Sequence, residues 1–67
     1  MATNDLRLYR VIMRDGSAGL YDALSIDEAK AAAFAVALRA TRGVAMSAGE
    51  RRLALGVSYV EDVTDDG

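Results

Sequence analysis

The sequence predicts a small α+β domain: an antiparallel sheet of three strands, or four if 51–55 is extended, with one long helix packed on one face in ββα(α)β order. Three observations carry this. LRLYRVIMR and GLYDAL alternate apolar and polar residues around an Asp-Gly turn signal. SIDEAKAAAFAVALRATRG repeats apolar residues at helical spacing, and VSYVEDVT returns to β-branched composition. At 67 residues the chain makes a single domain, with 1–5 and 65–67 expected as disordered ends.

Leu6 to Arg14 reads as the first strand. Tyr9, Val11 and Met13 point to one side, and Leu8, Arg10, Ile12 and Arg14 to the other. The first set is assigned to the core, because the second mixes arginine with its apolar residues. Asp15-Gly16-Ser17 turns the chain, since Asp-Gly favours the positive φ angles of tight hairpins. Gly19 to Leu24 returns, with Tyr21 and Ala23 on one face and Leu20, Asp22 and Leu24 on the other.

The helix spans Ser25 to Gly43. Ser25 and Glu28 form a capping box, in which the serine oxygen accepts from a first-turn amide and Glu28 returns a bond to the Ser25 amide. Asp27 and Glu28 sit at the positive end of the helix dipole, and Arg39 and Arg42 at its negative end. Gly43 supplies the left-handed residue that stops it. Ile26, Ala29, Ala33, Val36, Ala37 and Ala40 fall on one stripe, so Ile26, Ala33 and Val36 join Tyr9 and Val11 as expected core. Phe34 and Leu38 lie one turn apart beside that stripe, either as the edge of a wide core face or as an exposed pair that docks a partner or a second copy.

Beyond Gly43, Val44 to Met46 reads as a short extended piece. Ser47 and Glu50 resemble a second capping box, with Arg51 to Leu55 helical and Gly56 as the stop. The competing reading is a hairpin at Ala48-Gly49 with Arg51 to Leu55 in a strand. Val57 to Thr64 is the closing strand, placed antiparallel beside the first to give the strand order 2-1-3. Charged residues on the two edge strands discourage edge-to-edge pairing, and Arg10 or Arg14 faces Glu61 or Asp62 across the central pairing.

Composition narrows the function. The chain has no cysteine and no histidine, hence no disulfide and neither of the commonest catalytic or zinc-binding side chains. Ser17, Ser25, Ser47 and Ser58 have no candidate triad, and the glycines and acids lack phosphate- or calcium-loop spacing. Lys30, the only lysine, reads as a snorkelling helix residue. No catalytic, cofactor or metal site is expected, and a binding module is the default. Of the hydrophobic 52% of the chain, thirteen residues are alanine, so the core is small and a homodimer or a dedicated protein partner is expected. A net charge of −2 argues against direct nucleic-acid binding. The start MATNDLRLYR lacks a secretory pattern, and the longest apolar run, Ala31 to Leu38, is too short to cross a bilayer; a cytoplasmic protein without membrane contact is expected.

The hairpin LYRVIMRDGSAGLYDAL, the helix start SIDEAKAAA and the closing VSYVEDV together resemble the plan of small phage-encoded anti-CRISPR proteins of ββα type. That resemblance implies a non-enzymatic inhibitor that binds a crRNA-guided surveillance complex in the host cytoplasm and blocks its capture of target DNA. It carries over no catalytic residue. Carboxylates would stand where phosphates sit in a cationic channel. The expected partner-binding residues are Asp22, Phe34, Leu38, Glu61, Asp62, Asp65 and Asp66. The alternatives are a self-associating structural or accessory phage protein, or a small regulator that touches nucleic acid through Arg7, Arg10, Arg14, Arg51 and Arg52.

Overall fold

In the computed structural model, which describes residues 6–64, strands β1 (Arg7–Met13) and β2 (Ala18–Ala23) form a hairpin. Helices α1 (Ile26–Thr41) and α2 (Ala48–Leu55) follow, and β3 (Val57–Asp62) closes the sheet. The sheet is antiparallel throughout in the order β2-β1-β3, as the sequence predicts. The stretch 51–55 is helical, so there are three strands among the described residues.

The hairpin loop is longer than an Asp-Gly pair alone requires. Met13 and Ser17 close it through the Met13 amide and the Ser17 carbonyl at 2.8 Å, and the Gly16 amide reaches the Met13 carbonyl at 3.0 Å. Gly16 takes the positive φ of 94°, while Asp15 stays in ordinary backbone space and uses its carboxylate to accept from the Ser17 amide and hydroxyl. This is the three-residue loop in which a glycine ends a tight turn.

Strand β3 carries a bulge. Ile12 faces Tyr59 but Met13 faces Val57, so Ser58 is skipped in the register. A regular strand would send Val57 and Val60 to opposite faces; the extra residue lets both pack against the core. That core consists of Tyr9, Val11 and Met13 from β1, Ala23 from β2, and Ala29 and Ala33 from α1.

The helix face needs correction. The buried row of α1 is Ala29, Ala33 and Thr41, with Ala37 half-buried between them, an i, i+4 ridge of small residues. Ile26 and Val36, both expected in the core, are 47% exposed. A helix crossing a twisted sheet rests along a single ridge, and the smallest residues allow the closest approach. Ile26 is the first residue of the helix, separated from the end of β2 by Leu24 and Ser25, and Val36 falls to the side of the ridge. Thr41 is buried with its hydroxyl satisfied, its single hydrogen shared between the Ala37 and Leu38 carbonyls at 3.0 and 3.3 Å.

Caps set the helix limits. The Ser25 hydroxyl accepts from the Glu28 amide at 3.2 Å, but the Glu28 carboxylate accepts from the Leu24 amide rather than closing the box on Ser25. At α2 the box is complete: Ser47 accepts from the Glu50 amide and Glu50 accepts from the Ser47 amide. Gly43, with φ at 78°, ends α1, and Val44 to Met46 form an irregular link rather than a strand.

Candidate functional site

Both helices leave one face of the sheet open. Strand alternation and the observed register place three rows of side chains there. Asp22, Leu8 and Val63 form the first row, Leu20, Arg10 and Glu61 the second, and Ala18, Ile12 and Tyr59 the third. Leu20 and Tyr59 are 57% and 53% exposed, far above what an ordinary core-facing sheet residue shows. The Arg10 guanidinium donates to the Glu61 carboxylate at 3.0 Å in the middle of this surface. The result is a flat apolar patch crossed by one ion pair, with Asp22 at its corner holding no ion pair among the described residues.

A second surface lies on α1. Phe34 and Leu38 are 45% and 42% exposed, one turn apart, on the flank of the helix beside its buried ridge. Between α1 and the hairpin runs an apolar groove of about 240 Å³, lined among others by Val11, Gly19, Tyr21, Ala33 and Val36. Its cause is local. Gly19 faces Val11 in the register and offers no side chain, and the Tyr21 phenol folds over it so closely that a Cβ there would lie 2.7 Å from the phenol oxygen.

The acidic residues expected to bind a partner do not form one patch. Asp62 lies toward the helix side, opposite Tyr9, and is engaged internally. Its carboxylate accepts from the Thr64 hydroxyl at 2.6 Å, the Thr64 amide at 3.0 Å and the Arg7 guanidinium at 2.6 Å. These donors, the Thr64 hydroxyl first, lower its pKa to about 2. Thr64 in turn receives the Leu8 amide at 2.9 Å, so this cluster fastens the end of β3 to the start of β1. Glu61 is paired with Arg10, and Asp22 stands two strands away from it. Asp65 and Asp66 lie outside the described residues. Phe34 and Leu38 share a helix face on the opposite side of the sheet from Asp22 and Glu61.

The arginines considered for nucleic-acid contact are likewise dispersed. Arg7 and Arg10 are in ion pairs, the Arg14 side chain packs at Gly56, and Arg51 donates to the Val44 carbonyl. No group of three or more acidic side chains converges on a metal-sized space among the described residues, and none of the described helices is long and apolar enough to cross a membrane.

Leu20, Ile12 and Tyr59 are the surface residues that the sequence reading left out of the site. Alternation had put Leu20 and Ile12 on the face away from the core, which was the available signal. Tyr59 depended on the bulge at Ser58. The chain matches no family model, no curated protein and no solved structure.

Proposed function

We propose that this protein is a non-enzymatic binding protein that docks through the open sheet face, and that it acts in the host cytoplasm as a phage-type inhibitor of a CRISPR-Cas surveillance complex, blocking target DNA binding. The observation that carries the reading is Leu20 and Tyr59 lying more than half exposed on a flat face edged by Asp22 and Glu61. Such a face gains by burying its apolar side chains against a protein, at roughly 25 cal/mol per Å². Asp22, which holds no ion pair among the described residues, favours a cationic rim over a phosphate backbone. The ββα plan supplies the link to the anti-CRISPR type, and direct nucleic-acid contact has no part in it.

The test uses a type I surveillance complex and labelled target duplex, with retention read by fluorescence anisotropy. Excess protein is expected to prevent duplex capture, and Leu20→Glu/Tyr59→Glu to restore it while circular dichroism stays unchanged. Full capture at saturating wild-type protein would sink the inhibitor reading. The second reading, a self-associating structural or accessory phage protein, is favoured by the exposed Phe34 and Leu38 on α1.

A further inference from the structure

The outer face of α1 has an internal symmetry. Take the point midway between Phe34 and Ala35 and count outward. Phe34 and Ala35 straddle it, Ala31 and Leu38 are equally far on either side, and Asp27 and Arg42 are equally far beyond them. All six residues are exposed; the five within α1 share one side of the helix, and Arg42 caps its end just past Thr41. Read outward, the pattern sets a small residue at the same distance as a large one, and an acid at the same distance as a base.

A two-fold axis through that midpoint, perpendicular to the helix, lays a second copy of α1 antiparallel on the first. Each Leu38 then meets the methyl of the other chain's Ala31, and each Asp27 meets the other chain's Arg42. The Phe34 rings meet each other beside the axis, an arrangement aromatic pairs favour. The two Ala35 methyls let the backbones approach. Asp27 and Arg42 hold no side-chain ion pair within the chain among the described residues, so both charges are available. A parallel pairing would set Asp27 against Asp27 and Arg42 against Arg42.

We propose that a second copy of this chain covers the outer face of α1 as an antiparallel two-fold helix pair. The pairing is independent of what the open sheet face binds, since that face lies on the other side of the sheet. A dimer formed this way presents two sheet faces pointing apart. Four turns of helix, about 24 Å long, bury less than the roughly 1,200 Å² at the low end of standard interfaces. The dimer is therefore weak and concentration-dependent.

The absence of native cysteine makes a crosslinking test clean. Ala31→Cys and Leu38→Cys proteins are prepared separately, then mixed and oxidised. The mixture is expected to give the mixed disulfide as its main product, whereas Ala31→Cys alone crosslinks poorly. In the antiparallel pair the two copies of position 31 are separated by about 10 Å along the axis, beyond the ~7 Å that a disulfide spans between Cα atoms. Sedimentation of the wild type up to ~1 mM should show a monomer–dimer equilibrium that Phe34→Glu shifts at least tenfold toward monomer, with an unchanged circular dichroism spectrum. A wild-type monomer at every concentration overturns the proposal, as does equal crosslinking by the single variants and the mixture.

Discussion

Val11 has no exposed surface and is the largest fully buried side chain among the described residues. Truncating it removes buried methyls and leaves a void beneath α1, at a cost of roughly 2–3 kcal/mol. In a domain whose remaining core is two further large β1 side chains and a few alanines, that is a large share of total stability. Val11→Ala should accordingly lower the urea midpoint sharply with an unchanged slope; a shift under about 0.5 kcal/mol would place the core elsewhere. Ala33 and Val36 give the converse pair. Ala33 is 3% exposed, so Ala33→Leu overpacks the ridge by about 1–3 kcal/mol. Val36→Asp, at a site nearly half exposed, should move the melting temperature far less. Asp62 offers a pH-dependent check. Its folded pKa is depressed from 3.8 to about 2, so its contribution is present above the ordinary value and is lost as pH falls toward the folded one. A carboxyl-carbon NMR titration should find the low midpoint, and an ordinary midpoint would mean that the Thr64 and Arg7 donors do not hold it in solution.

The two helices differ in what keeps them helical. Helix α1 rests along a row of alanines, whereas α2 buries only Ala54 and leans on its cap. Ser47→Ala removes the acceptor for the Glu50 amide and costs about 1 kcal/mol. It should show as reduced helical chemical shifts over 48–55 with the strands unaffected; full retention of those shifts would mean packing, not the cap, holds α2. The punctuation of both helices was legible in the sequence because caps and stop glycines act within a few residues. The azimuth of α1 was legible in part, since Ala29, Ala33 and Ala37 of the expected stripe do meet the sheet. Helical periodicity gave a stripe running through Ile26 and Val36, but the contact follows the Ala29–Ala33–Thr41 ridge, which is selected by close approach to a sheet the sequence does not display. The bulge at Ser58 was hidden for a similar reason, since VSYVED alternates well enough to read as a regular strand and only the core's need for both Val57 and Val60 breaks the alternation.

At the scale of the whole molecule, strand order was readable from connection lengths, while the candidate surface was readable only in halves. Sequence alternation placed Leu20 and Asp22 together, and Arg10 with Ile12, but joining those halves to Tyr59 and Glu61 takes the registers of both pairings. The same topology orders the local stabilities. Strand β1 is hydrogen-bonded on both sides and carries Tyr9, Val11 and Met13, whereas among the described residues β2 and β3 are each paired on one side only. Amides exchange through the least costly opening that frees them. Each β1 amide is bonded to one neighbour, but both pairings are anchored by the buried Tyr9, Val11 and Met13, so freeing either row disrupts the core. Those of α2 need only the release of Ala54 and the Ser47 cap. Native-state hydrogen exchange should therefore place the Tyr9–Met13 amides at the global unfolding limit and the α2 amides well below it, by at least tenfold in protection. Adding sub-denaturing urea should bring the β1 amides, but not those of α2, onto the slope of global unfolding. Equal protection and equal urea slopes in both elements would mean that α2 and the sheet open as one unit, and that Ala54 fastens the second helix more firmly than its small buried area implies.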